Sequence, residues 1–288
     1  LEGMVSGSSV ANTVGSGSIT IPMMKKTGYR AEFAGAVEAA ASTGGQIMPP
    51  IMGAAAFLMT EYVNEPYGQI AVRAILPAVL YFLGIFIAVH LEAKKFGLRG
   101  IPRSELPKFS QLIRKIYLLA PLVILIYLVT SNSNTIQVSA SIAIIVAVVA
   151  SLFDKDNRIT PKRFFEALAA GARGTITVAV ACGIAGVIAG CITVTGLGSK
   201  LISGVIALSG GNVMIGLVLT MICCIILGMG VPTTANYCIM ATTCAPILQE
   251  LGVHLIAAHF FVFYFGIVAD ITPPVALAAY AGSAIAKS

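Results

Sequence analysis

The chain has 288 residues, 57% of them hydrophobic and 10% charged, with a mean hydropathy of +0.92 and a formal net charge of +6. Soluble domains average about 25% charged residues, so composition excludes an ordinary water-soluble globule. The basic residues are gathered in a few loops, which reads as membrane orientation and argues against a nucleic-acid partner.

In chain order, the polar stretch SGSSVAN (6–12) leads into an apolar segment that ends at Lys25, Lys26 and Arg30. Apolar runs near the ~20 residues that cross a bilayer then occupy 34–60, 69–91, 116–131, 135–153 and 166–194. The first of these is interrupted by STGGQIMPP (42–50), a set of poor helix formers in mid-span. One loop holds Lys94, Lys95, Arg99, Arg103, Lys108, Arg114 and Lys115, and another holds Lys155, Arg158, Lys162 and Arg163. The turns TEYVNEP (60–66) and SNSN (131–134) carry no Lys or Arg, so the basic loops face the cytoplasm.

Beyond residue 195, the segment 198–209 is expected to lie along the interface. VMIGLVLTMICCIILGM (213–229) and YCIMATTCAPILQEL (237–251) flank the helix-breaking GVPTTAN (230–236). That pattern predicts a re-entrant hairpin with a polar tip, which a bilayer tolerates only where protein or a watery cavity covers it. The last span, 255–285, is interrupted at ADITPP (269–274). The fold class is therefore an all-α polytopic membrane protein. A transmembrane barrel would show ~10-residue alternating segments, and the sequence has none.

An internal repeat organises the chain. Shifting it by 224 positions sets Asn12 on Asn236, Pro22 on Pro246, Gly28 on Gly252, and Pro49–Pro50 on Pro273–Pro274. Counting crossings from the basic loops gives the two copies opposite topology, as in inverted-repeat transporters. The division is 1–91 for the first repeat, 92–194 for a basic loop and connecting spans, and 195–288 for the second repeat. The register also sets residue 1 against Ile225, in mid-arm, and sets span 69–91 past Ser288, which predicts a piece lacking structure at both ends.

Four polar interruptions can carry chemistry: the tips SGSSVAN and GMGVPTTAN (228–236), and the breaks STGGQIMPP and ADITPP. Freed carbonyls at half-helix C-termini suit Na⁺, and half-helix N-termini suit a carboxylate. Asp270 stands where the first copy has Gln46, and it reads as an ion ligand, a proton carrier or a structural helix cap. Glu38 and Arg173 fall near predicted cytoplasmic ends, where long side chains snorkel or pair, and His259 reads as a packing residue. Gly186 and Gly190 read as a close helix-packing face. Six cysteines in apolar segments lack metal-ligand spacing and read as small packing residues. No GxSxG, HExxH or P-loop occurs, so no enzyme is expected.

The stretches at 6–29 and 32–59, with GMGVPTTANYCIMATTCAPIL (228–248) and FGIVADITPPVALAAYAGS (265–283), resemble the TRAP transporter permeases. Their likeness is greatest to the large-subunit region of the fused TAXI subtype. The resemblance implies an elevator-type, Na⁺-coupled importer of organic acids in a bacterial or archaeal cytoplasmic membrane. It implies a periplasmic substrate-binding protein, and a small membrane subunit fused N-terminally, as partners. Carried over residue by residue, one Na⁺ site would use Ser8, Ser9, Asn12, Ser42, Thr43 and Gly45. The other would use Gly228, Thr233, Thr234, Asn236, Asp270 and Thr272. The substrate would lie between the tips, near Ser8, Asn12, Gln46, Pro49, Thr234, Asn236 and Pro273. Two alternatives stand beside this: a stand-alone H⁺- or Na⁺-coupled anion transporter of similar fold, and a non-transporting scaffold or channel.

Overall fold

A chain in an apolar solvent must satisfy its own backbone hydrogen bonds, and a helix does so within one segment. The computed structural model describes residues 2–100, 116–131, 134–153 and 158–288, and all regular structure among them is helical. Arg103, Lys108, Arg114, Lys115 and Lys155 of the basic loops lie outside the described residues, as do 132–133 of the SNSN turn.

The first half contains α1 (Glu2–Ser6), α2 (Ser9–Lys26), α3 (Ala31–Gly45), α4 (Gly53–Val63) and α5 (Tyr67–Lys95). A 3₁₀ turn at Ile116–Leu119 leads into α6 (Ala120–Thr130), followed by α7 (Ile136–Leu152) and α8 (Pro161–Thr195). Then come α9 (Leu197–Ser209), α10 (Val213–Gly228), α11 (Thr233–Thr243), α12 (Ala245–Glu250), α13 (Leu255–Val268) and α14 (Leu277–Ala286). Starts are set by local chemistry. The Ser8 hydroxyl accepts from the Ala11 amide, and the Asn212 Oδ1 accepts from the Met214 and Ile215 amides. Such caps satisfy otherwise orphaned helix N–H groups.

The predicted span 34–60 is two helices. Fifteen-residue α3 rises about 22 Å, short of the ~30 Å hydrocarbon core. The chain then turns through 46–52, with Met52 left-handed at φ 56°, before α4 begins. The predicted span 255–285 is broken the same way. A 3₁₀ turn at Ala269–Ile271 follows α13, and Ala276 is left-handed at φ 45° before α14. Met52 and Ala276 are 224 positions apart. The same offset carries Ser9–Lys26 onto Thr233–Glu250, the ends of α11 and α12 taken together. It also carries left-handed Gly28 (φ 103°) onto left-handed Gly252 (φ 84°). Both prolyl pairs, Pro49–Pro50 and Pro273–Pro274, are joined by cis bonds.

Among the described residues, Tyr67–Lys95 is long and apolar enough to cross a membrane unbroken. It leaves Val72, Leu76 and Phe86 about two-thirds exposed, an apolar exterior suited to lipid. Cys182–Thr195 and Leu197–Ser209 form a bent pair at 71°, and the turn between them is at left-handed Gly196. Gly186 and Gly190, expected to seat a neighbouring helix, have nothing within 4 Å of where a Cβ would stand.

The chain forms two units. One comprises 66–69 and 100–177, in which α6 packs on α7. The other comprises 1–65, 70–99 and 178–288, and so contains both repeat copies. Its centre is a three-helix contact of α2, α3 and α14. Here Gly35 and Gly282 bring two backbones together: a Cβ on Gly282 would stand 2.7 Å from the Gly35 carbonyl oxygen. Gly282→Val should therefore cost about 1–3 kcal/mol by overpacking. Gly204→Ala, where a Cβ meets nothing within 4 Å, should gain roughly 0.5–1 kcal/mol from helix propensity. Unfolding of the two purified variants against wild type checks the opposed signs.

Candidate functional site

The polar residues gather where helices stop. Ser8 ends the α1–α2 turn as the cap of α2 and is half-buried. Ser9, first in α2, donates from Oγ to Asp270 Oδ2 at 2.7 Å, and both residues are buried. Gln46 is buried, and neither of its polar atoms has a hydrogen-bond partner, while the helix before it, α3, packs on Ala269–Ile271. Asp270 thus lies against the first copy's tip and break. Its neighbour Ala269 lies against Gly228, so the second break meets the second tip as well. Register along the chain shows which break follows which tip, but not how the two copies fold against each other.

The two asparagines occupy matching positions. Asn12 Nδ2 donates to Ser42 Oγ at 2.8 Å, and Asn236 Nδ2 donates to the Gly266 carbonyl at 2.8 Å. Donor and acceptor are 30 residues apart in each case, at equivalent places in the repeat. Glycine makes the approach possible on both sides. A Cβ on Gly3 would meet Asn12 Nδ2, the Ser42 carbonyl and Gly45, all within 3.2 Å. A Cβ on Gly228 would meet Asn236 Nδ2, the Gly266 carbonyl and Ala269, all within 3.1 Å. In each copy the amide nitrogen is anchored while Oδ1 is buried without a hydrogen-bond partner. Buried polar atoms are rarely left so. Two at equivalent positions mark these oxygens as available to a ligand.

The remaining sequence candidates are less alike. Thr43 is buried with Oγ1 unpartnered, and Gly45 packs on Gly3. Thr233 is buried and Thr234 half-buried, both at the start of α11. Thr272 bonds back to the Val268 carbonyl at 2.7 Å, ending α13. Pro49 is half-buried, whereas Pro273 is exposed. His259 is buried and held by Tyr237, whose hydroxyl lies 2.8 Å from Nδ1. Arg173 is exposed on α8.

Glu38 departs from its sequence expectation. It is buried, and its carboxylate accepts from the hydroxyls of Ser16, Thr20 and Ser42. The signal was in the sequence: hydroxyl residues four apart on α2 (Ser16, Thr20), and a fourth-neighbour serine, Ser42, on α3. Residues so spaced share one helix face.

An apolar exterior suited to lipid, with a polar cluster built where helices break, defines the class as helical membrane proteins. The family described as "Tripartite ATP-independent periplasmic transporter, DctM component" matches residues 1–288, and the chain belongs to it. It is a family of transporter permease components, not of enzymes. The chain is 26% identical to the "C4-dicarboxylate TRAP transporter large permease protein DctM" of Pseudomonas aeruginosa, over 98% of this chain and 65% of the relative. It is 22% identical to the "Isethionate TRAP transporter permease protein DctMQ" of Oleidesulfovibrio alaskensis, over 99% of this chain and 44% of the relative. It is also 22% identical to the "Sialic acid TRAP transporter large permease protein SiaM" of Vibrio cholerae, over 98% and 65%. The chain thus spans between two-fifths and two-thirds of the length of these relatives.

The Ser9–Asp270 bond ties the two repeats together and is open to measurement. A hydrogen bond to a charged acceptor contributes about 1.5–3 kcal/mol. Ser9→Ala should therefore destabilise by an amount in that range, and by clearly less in an Asp270→Asn background. A double-mutant cycle on unfolding free energies reads the difference; additive effects would show that the contact carries no energy.

Proposed function

We propose that this chain forms the ion- and substrate-binding core of a Na⁺-coupled, binding-protein-dependent importer of organic acids. The observation that carries the reading is the pair of buried amide oxygens, Asn12 Oδ1 and Asn236 Oδ1, at equivalent positions of two repeats. Hard cations prefer oxygen ligands. Each asparagine is held by its nitrogen, which leaves the oxygen oriented without further conformational cost. Thr43 Oγ1 adds an unpartnered hydroxyl near the first asparagine's helix contact, and Asp270 supplies formal charge close to the tip of α2.

The substrate's acid group suits the space between the starts of α2 and α11. Both helices begin at a polar tip, and helix N-termini carry partial positive charge. The relatives named above are permeases for C4-dicarboxylate, isethionate and sialic acid, all acids, which supports an organic acid as cargo. In this reading the α1–α2 and α10–α11 pairs are re-entrant hairpins, and the repeats run in opposite directions through the inner membrane. Transport proceeds by elevator movement of the unit that holds both sites. The TAXI subtype, with a small membrane subunit fused N-terminally and a periplasmic binding protein, completes the system.

The test is uptake by the full-length permease, reconstituted with its binding protein in proteoliposomes. Uptake should fall to background when choline replaces Na⁺ outside, and unchanged uptake would sink the coupling. Asn12→Ala and Asn236→Ala should each raise the half-saturating Na⁺ concentration roughly tenfold, the equivalent of ~1.4 kcal/mol per lost ligand.

A further inference from the structure

Glu38 raises a question that the tip residues do not. It is 7% exposed, on a helix within the membrane-suited part of the fold. No ion pair to it exists among the described residues, whose Lys and Arg side chains bridge Glu92, Glu65 and Glu166 instead. A carboxylate in such a place is costly unless its charge is compensated. Three hydroxyls do part of this: Ser16 and Ser42 donate to Oε1, and Thr20 donates to Oε2. Hydroxyl dipoles spread the charge without cancelling it.

The other repeat shows that the fold does not require this polarity. The positions equivalent to Ser16, Thr20 and Glu38 are Met240, Cys244 and Val262. All three are fully buried members of one apolar core cluster. Where the second copy has packed hydrocarbon, the first has a carboxylate, two hydroxyls and a cavity of about 310 Å³. Glu38, Asn12, Ser16 and Thr20 line that cavity, with Glu2 as its other charged group. Asn12 is also the residue whose Oδ1 is buried without a partner. Glu38, a buried carboxylate with no ion pair among the described residues, and Asn12, whose buried Oδ1 has no donor, both line one cavity. A cation seated between them would compensate the carboxylate and give the amide oxygen a partner.

We propose that this cavity binds a monovalent cation, with the Glu38 carboxylate as its charged ligand and Asn12 Oδ1, Ser16 Oγ and Thr20 Oγ1 as neutral ones. For the identity of the ion, Na⁺, the proposal rests on the coupling reading above. The site extends inward along α2 from the tip, and Asn12 belongs to both. The charged group of this site is Glu38 on α3, whereas Asp270, in the break of the second copy, lies at the tip of α2.

The experiment is a Na⁺ titration of the purified full-length permease, followed by its thermal unfolding midpoint, with choline keeping ionic strength constant. Wild type should be stabilised by Na⁺ and not by choline. Glu38→Gln, which preserves shape and hydrogen bonding but removes charge, should raise the half-saturating Na⁺ concentration roughly tenfold or more. Glu38→Asp, which keeps the charge, should retain a Na⁺ response. Equal titrations for wild type and Glu38→Gln overturn the proposal. If neither variant folds, a cryo-EM map of wild type in saturating Na⁺ decides: density beside Glu38 supports the site, and none overturns it. Failure here is separable from failure of coupling. Na⁺-dependent uptake with an unchanged Glu38→Gln titration removes this site alone. Na⁺-independent uptake with a Glu38-dependent titration removes coupling alone.

Discussion

The structure depends on one constraint: a helix broken inside an apolar solvent leaves backbone amides and carbonyls that water cannot satisfy. Each break in this chain must therefore be covered by protein, and the cover becomes the site. The turn after α3 and the turn after α13 are lined by residues of the preceding polar helix start or of the other copy. Ser9 reaches Asp270, Asn12 reaches Ser42, and Asn236 reaches the Gly266 carbonyl. Close approach is purchased with glycine, at Gly3 against Gly45 and at Gly228 against Ala269. Larger side chains there would push the tips off the breaks. The unpartnered oxygens of the polar centre stand out against that close approach of backbones.

Duplication accounts for the frame, and divergence accounts for the chemistry. The two copies share element boundaries, a left-handed residue after each prolyl pair and an asparagine anchored at the same place. They differ in where charge sits. Gln46 corresponds to Asp270, and Glu38 corresponds to Val262. A repeat that needed only to pack would keep the apolar version, since Met240, Cys244 and Val262 form a fully buried core without it. The polar version sacrifices apolar burial, worth about 25 cal/mol per Å², for a carboxylate and its hydroxyls.

Much of this was legible in the linear chain. Apolar run lengths and the concentration of Lys and Arg in a few loops indicate a membrane protein. Repeated Asn, Pro and Gly in one register locate the tips and breaks. These are local properties: a proline removes an N–H wherever it stands, and a cap such as Ser8 or Asn212 acts within three residues. Glu38 shows the limit. Its place in the chain suggested a snorkelling side chain near a helix end. Its burial depends on α1 and α2 covering that face of α3, which local pattern does not encode. Gly186 and Gly190, a packing motif by spacing, have no neighbour within 4 Å among the described residues.

By itself, then, the sequence determined the helical class, the family resemblance, the duplication and the residues at which helices must stop, because each follows from propensity, hydropathy or identity at fixed spacing. Only the tertiary structure decided that the break of one copy also meets the tip of the other. Asp270 pairs with Ser9, 261 residues away, because folding one copy against the other brings together groups whose separation along the chain carries no trace of their distance in space. It also decided which polar atoms remain without partners, since satisfaction is a property of the whole neighbourhood and not of any one residue.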